Sequence, residues 1–314
     1  MLEHYTMAYG KNQEDKSYDF YHLWQANEQE IQQMLDQFDI PEDFITSGLD
    51  SYEVARWESY KGDDGDLYTL VLFNYPFKER TQDFRDVYRT APIAIVFKPG
   101  LVIVTSIDSL KTLNHITEMR LNSFNGLDEL GLVLNILWFI ARLFIILLEE
   151  IDREIRDLEL DVTESTKNEI FYTQMKLNKA LVFFNSAINN DRDVLEHLKE
   201  QFNQLDIEDN DLQHLRDVNV ELHQASGMVH ELKQLNEKVS DILSNVVNNN
   251  MNQVMRVLTV WSIILTIPTI ITGAWGMNVP VPGEEATPSM FIIGITTLAL
   301  MLIGYWLFKR NKWL

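Results

Sequence analysis

The 314-residue chain contains no cysteine, which excludes disulfide bridges and thiolate metal sites. Basic residues are scarce, with 26 Lys and Arg against 47 Asp and Glu, for a formal net charge of −21. That balance makes nucleic acid or an anionic lipid surface a poor partner for the soluble part and makes cations attractive ones, although solubility alone would account for an acidic surplus. The opening Met1-Leu2-Glu3-His4-Tyr5-Thr6 has neither a basic n-region nor an apolar h-region, so a signal peptide is not expected, nor is an Arg-rich transit sequence. Enzyme signatures are missing as well. There is no Gly-x-x-x-x-Gly-Lys phosphate loop and no Gly-x-Ser-x-Gly elbow, and the zinc-protease pattern begun by His230-Glu231 has Gln234 where its second histidine must stand. His197, His214 and His223 lie on long charged segments and read as solvated.

Charge is also missing from two long runs near the C-terminus. Val257 to Gly283 carries no charged side chain, and after Glu284-Glu285 the chain is uncharged again from Ala286 to Phe308. About 20 apolar residues cross roughly 30 Å of hydrocarbon, and a backbone in lipid must satisfy its own hydrogen bonds, so two helical spans are expected. The basic cluster Lys309-Arg310-Asn311-Lys312 follows the second span directly. By the bias of Lys and Arg to cytoplasmic flanks, both termini lie inside and the loop 276–288 outside.

Before the spans, residues 1–126 read as a small α/β domain. Leu67–Phe73, Pro92–Phe97 and Leu101–Ser106 are expected strands, Ser51–Tyr60 is a weaker fourth, and Asn27–Phe38 carries Ile31, Met34, Leu35 and Phe38 at the spacing of one helical face. Leu130–Leu148 is apolar enough to imitate a third span. Asn135 and a central Arg142, costing about 2.5 to 3.5 kcal/mol in lipid, argue instead for a buried soluble helix, and a third span would put the basic tail on the wrong side. Seams at Ile151, Ile155, Leu158 and Val162, then from Leu177 to Leu205 with Asp191 at one core position, predict long antiparallel helices over 127–210. After the break Asp206–Asn210, residues 211–275 read as one helix roughly 98 Å long that runs into the first span, with Pro268 its expected irregularity.

One side of that span is polar beyond what lipid requires. Asn252, Met255, Thr259, Ser262, Thr266, Thr269 and Gly273 follow steps of 3 and 4, while Ile263, Leu265, Ile267 and Ile270 read as the opposite face, for lipid or the second span. Small-residue helix packing also favours Gly, Ser and Thr.

The run from Pro268 to Asn278 ending Gly276-Met277-Asn278, the two C-terminal spans and the basic tail closing Lys312-Trp313-Leu314 resemble the CorA-type divalent cation channels. The resemblance is strongest over 211–314 and only architectural before that. It implies an α+β membrane protein: an N-terminal α/β cytosolic domain, long coiled-coil stalk helices and two C-terminal transmembrane helices, at 276–288 joined by an external loop, with the second span at 289–308 and a tail at 309–314. Five copies are implied to surround one pore in the cell membrane, with the first span inside, the lipid bilayer outside and no nucleic-acid partner. Transport is driven by the ion's own gradient, since a divalent ion crossing 100 mV gains about 4.6 kcal/mol.

The resemblance further implies that Gly276, Met277 and Asn278 form the selectivity element, with Asn278 at the mouth and Gly276 allowing a sharp turn. It places Asn252, Met255, Leu258, Thr269 and Gly273 along the pore, joined there by Ser262 and Thr266 from the polar stripe. Asp217 and Asp241 match stalk positions where regulatory Mg²⁺ bridges subunits, with Asp83 or Asp86 of a neighbour as candidate partners and with Glu221, Glu231 and Glu237 adding negative charge. Three features depart from the family pattern: Thr266 stands where methionine is frequent, Trp275 where tyrosine is usual, and the loop lacks Met-Pro-Glu. Mg²⁺, with Co²⁺ and Ni²⁺ as further cargo, is the expected ion, both transported and regulatory. A ZntB-type zinc transporter and a non-conducting membrane-anchored coiled-coil scaffold remain as alternatives.

Overall fold

The computed structural model describes residues 1–9, 16–63, 65–80, 86–107, 127–164, 168–202, 209–277 and 289–311. Two compact units are present, Met1–Ser240 and Asp241–Leu314.

The first unit is built on a six-stranded sheet of β1 (Leu2–Tyr9), β2 (Lys16–Trp24), β3 (Arg56–Lys61), β4 (Leu67–Arg80), β5 (Asp86–Lys98) and β6 (Leu101–Ser106). The strand order is β1-β2-β6-β5-β4-β3, with β2 and β6 parallel and every other neighbouring pair antiparallel. β6 matches the expected range, whereas β4 and β5 run well beyond theirs and the fourth strand is 56–61 rather than 51–60. β1 and β2 carry no clean period-2 signal, because β2 lies inside the sheet and buries Phe20, Tyr21, His22 and Leu23 in succession.

On one face, α1 (Glu28–Gln37) and α2 (Glu42–Thr46) pack Met34, Phe44 and Ile45 against Leu70, Leu72, Ala94, Val96 and Ile103. α1 starts where its cap dictates: Asn27 Oδ1 accepts from the Glu30 amide at 2.9 Å, and Glu30 accepts in return from the Asn27 amide at 3.0 Å. The turn Ser47–Leu49 lies so close to the sheet that a Cβ on Gly48 would sit 2.2 Å from the Thr105 carbonyl oxygen.

The other face is covered by α3 (Glu129–Glu164) and α4 (Asn168–Phe202), which lie on β4 and β5. Phe184 of α4 meets Phe144 of α3 at 5.4 Å and Tyr88 of β5 at 6.3 Å, edge to face. Tyr88 donates its hydroxyl to Glu154 at 2.7 Å, and burial together with that carboxylate pushes its pKa up. Asp191 is fully buried in the seam, where Oδ1 accepts from the Asn74 backbone amide at 2.8 Å and from Asn74 Nδ2 at 3.2 Å.

α3 contains the ambiguous apolar run. Among the described residues three helices are long and apolar enough to cross a membrane, but 61% of the apolar window of 129–161 is buried in protein, against 11% for 211–275 and 0% for 291–310. Arg142 pairs with Glu221 at 3.4 Å, so the residue that would be expensive in lipid has a carboxylate partner within the protein.

α5 (Asp209–Trp275) is a single helix of 67 residues with Pro268 inside it. Within the first unit it buries Leu215, Val218, Leu222, Ala225, Val229 and Leu232, a 3-and-4 seam. α6 (Ser289–Arg310) is the second unit's other helix; it ends two residues beyond the expected span, so Lys309 and Arg310 belong to its last turn and not to a tail.

Candidate functional site

Within the second unit, the burial of α5 and α6 defines their contact. On α5, Val260 and Ile264 are buried while Val257, Ile267 and Ile271 are partly covered; on α6, Thr297 is buried while Ile293, Met301, Gly304 and Phe308 are partly covered. A Cβ on Gly304 would lie 3.6 Å from Ile267 Cδ1, so the absent side chain brings the helices close. The face expected opposite the polar stripe is therefore only partly the one used. Ile267 meets α6, but Ile263, Leu265 and Ile270 stay 45%, 60% and 65% exposed, because at about 100° per residue they fall on the flanks of the contact.

The polar stripe itself is bare. Asn252, Met255, Leu258, Ser262, Thr266, Thr269 and Gly273 are all exposed, and nothing lies within 4 Å of a Cβ placed on Gly273. Taking about 100° per residue, Met255 to Gly273 centre about 170° from the residues that meet α6. Asn252 lies toward one flank, as a heptad step on a straight helix drifts about 20° every seven residues. The structure thus places α6 behind the stripe and leaves its front open.

The hydroxyls are set in one sense. Thr259 donates to the Met255 carbonyl at 2.7 Å, Ser262 to Leu258 at 2.9 Å, Thr266 to Ser262 at 2.7 Å and Thr269 to Leu265 at 3.1 Å. Each proton is committed to the helix backbone, so what each hydroxyl offers outward is an oxygen lone pair. A column of acceptors suits a hydrated cation, whose water hydrogens point away from the metal.

At the end of α5 the Gly276 amide donates to the Thr272 carbonyl at 2.9 Å, and Met277 is exposed. Gly276 does not adopt the left-handed backbone expected of a sharp turn; Gly65 and Gly100 are the positive-φ glycines among the described residues. Its lack of a side chain matters through space instead, since a Cβ would come within 3.2 Å of the Thr272 oxygen. Asn278 and the remainder of the loop lie outside the described residues.

The stalk carboxylates Asp217 and Asp241 are both solvent-exposed. Among the described residues no group of three or more His, Asp or Glu converges on a metal site. Three neighbouring expectations change. Glu221 is not an unpaired repulsive charge, since it faces Arg142; Asp86 is 3.3 Å from Lys78; and Asp83 lies outside the described residues. Of the histidines read as solvated, His223 is exposed, but His214 is half-buried with Nδ1 shut off from solvent.

Comparison with known proteins bears on the whole chain. The cobalt/magnesium transport protein CorA of Methanocaldococcus jannaschii is 23% identical over 298 residues, covering 93% of this chain and 90% of the relative. Its complete structure superposes with a TM-score of 0.79 at 22% identity, covering 100% of this chain and 99% of that one. The cobalt/magnesium transport protein CorA of Thermotoga maritima is 30% identical over 174 residues, covering 54% of this chain and 49% of the relative. The cytoplasmic domain of ZntB from Vibrio parahaemolyticus is more distant, with a TM-score of 0.58 at 12% identity over 78% of this chain and 98% of that one. Residues 15–310, which take in the sheet from β2 onward, the long helices and the bare hydroxyl stripe, match the CorA-like Mg²⁺ transporter proteins, and the chain belongs to that family.

Proposed function

We propose that this chain forms a homopentameric channel that passes Mg²⁺, and with it Co²⁺ and Ni²⁺, down their electrochemical gradient across the cell membrane. The C-terminal part of α5 and the whole of α6 are its two spans, with both termini in the cytoplasm. The observation that carries this reading is the bare column of hydroxyl oxygens on α5, set about 170° from the α6 contact. Two helices cannot enclose a pore, so the front of the stripe is completed by other copies, with α6 toward lipid. A scaffold has no use for acceptors aligned in that way.

Mg²⁺ gives up its water reluctantly. Hydroxyl oxygens along Ser262, Thr266 and Thr269, and the amide of Asn278 at the mouth with Gly276 and Met277, take hydrogen bonds from the hydrated ion without stripping it. Met255 and Leu258 are apolar, exposed and one turn apart on the same side, and in a closed ring they exclude water. Asp217 and Asp241 complete regulatory Mg²⁺ sites with a neighbouring copy, so that intracellular Mg²⁺ favours the closed arrangement.

Reconstituted liposomes loaded with an ion-sensitive dye test the assignment. Uptake of Mg²⁺ and Co²⁺ that follows an imposed potential and ignores a pH gradient is the expected result. Zn²⁺ uptake coupled to protons would replace this reading by the ZntB-type one, and no uptake from assembled protein would replace it by a scaffold. Native mass measurement in detergent counts the copies.

A further inference from the structure

Residues 242–314 hold two carboxylates, Glu284 and Glu285, both in the connection between the helices. The opposite end of the hairpin carries Arg256, Lys309 and Arg310, all exposed. A short connection makes the two helices antiparallel, and the contact of Ile267 with Gly304 sets their register. Counted from that contact at 1.5 Å per residue, Arg256 lies about 16 Å along α5 and Arg310 about 9 Å along α6 toward the same end. The three cations therefore share one layer roughly 9 Å thick, and among the described residues none of them is in an ion pair.

Their side chains are not simply extended into water. Lys309 Nζ stands 5.9 Å from the centre of the Tyr305 ring and the Arg310 guanidinium 5.3 Å from that of Trp306. Each cation is held against an aromatic face one turn back, and Tyr and Trp are the residues that settle at headgroup depth. Arg256 lies on the flank of α5 nearer α6 and away from the hydroxyl stripe, so all three cations turn toward the side given to lipid.

In a chain of net charge −21, three cations gathered with no carboxylate paired to them among the described residues call for anions from outside. The nearest carboxylate preceding Arg256 in the sequence, Asp241, is 15 residues away, roughly 22 Å along a helix and beyond a Debye length of about 8 Å. We infer that the ends of α5 and α6 bind the phosphate of an anionic phospholipid, of the phosphatidylglycerol kind, in the cytoplasmic leaflet. Arg256 and Arg310 each present a planar fork that matches phosphate oxygens, and Lys309 adds a third charge. The inference rests on the two-span reading, and it goes further in choosing the lipid: bias toward the cytoplasm needs only charge, whereas this layer favours an anionic phosphate headgroup over a neutral one.

The test is native mass spectrometry of the full-length protein from mixed detergent–lipid micelles, counting retained phosphatidylglycerol against phosphatidylcholine. Wild type is expected to retain the anionic lipid preferentially. Arg256→Gln is expected to lower that preference about fivefold, the worth of one cation near a charged surface, and Arg256→Lys to keep most of it. Equal retention of both lipids by wild type overturns the inference, as does a preference that survives the combined Arg256→Gln, Lys309→Gln and Arg310→Gln changes. If that triple variant does not assemble, the salt dependence of the wild-type preference decides, and a preference unmoved by ionic strength overturns it. Displacement of the lipid by inorganic phosphate would show a small-anion site in its place. Protein that alkaline carbonate strips from vesicles fails the two-span reading itself, whereas protein that stays inserted without lipid preference fails only this inference.

Discussion

Replacing Asp191 by asparagine isolates one buried charge. Asp191 Oδ1 takes both hydrogen bonds from Asn74, while Oδ2 is buried with no partner among the described residues. The neighbouring Arg192 is turned to Ser226, 3.4 Å away. Burial pushes the Asp191 carboxyl well above the usual carboxylate range, outweighing the two Asn74 hydrogen bonds that pull it down. A carboxyl raised in the folded state contributes stability that is present below its unfolded pKa of about 3.9 and is lost as pH rises toward the folded value. Within that window the loss is about 1.4 kcal/mol per pH unit for the one proton.

Asparagine keeps the acceptor oxygen for Asn74 and cannot ionise, but it buries amide hydrogens without acceptors at a cost of about 1–3 kcal/mol. Asp191→Asn is therefore expected to be the less stable protein near pH 4 and to gain on wild type as pH rises. For a unit of this size 1 kcal/mol moves Tm by about 2–4 °C, so the gap between the two proteins changes by about 3–6 °C per pH unit. Scanning calorimetry of both full-length proteins in the same detergent, from pH 4 to pH 7, measures it directly. Parallel Tm profiles would refute the reasoning, because they would mean that Asp191 titrates alike in the folded and unfolded chain.

Three further outcomes concern conduction and its control. Asn278→Ala is expected to reduce Mg²⁺ uptake to the background of empty liposomes while leaving the native mass unchanged; wild-type flux from an assembled variant would remove Asn278 from the mouth. Leu258→Ser puts a hydroxyl into the proposed apolar constriction and is expected to raise the leak at high Mg²⁺ severalfold, whereas an unchanged closed-state leak places the gate elsewhere. Asp241→Lys substitutes a fixed charge for a bridging cation and is expected to weaken Mg²⁺-dependent protection of the soluble part from protease; an unshifted Mg²⁺ titration excludes Asp241 as a ligand.

Long periodic features were the legible ones. The α5 seam from Leu215 to Leu232, the one-sided stripe from Ser262 to Gly273 and the burial of the run around Arg142 all follow from spacing and from the cost of charge in lipid, and the structure shows each of them. β1 and β2 were not legible: β2 is buried on both faces and loses its alternation, while β1 is an edge strand whose described side chains are exposed or half-buried, so it has no apolar face to alternate with. The α6 contact was half-legible: the apolar side of the span is broader than the surface one helix covers, and Gly304, which decides the approach, is a single missing side chain on the partner. Asp86 and Glu221 looked available because sequence does not reveal that Lys78 and Arg142 reach them across the fold. Asp191 stood out only as a polar residue at a core position, with nothing in the sequence naming Asn74 as its partner.

The inward donation of the stripe's hydroxyls also bears on how such a protein is made. In the channel proposed above, a hairpin between synthesis and assembly would wait in the bilayer with its future lining turned to lipid tails. Thr259, Ser262, Thr266 and Thr269 have already spent their protons on carbonyls one turn back, so an unassembled copy carries no stranded hydroxyl donor from them. On that proposal, a newly inserted chain could wait for its neighbours without a partner to shield it, and the surface that would later line a water-filled passage is tolerable in oil until then.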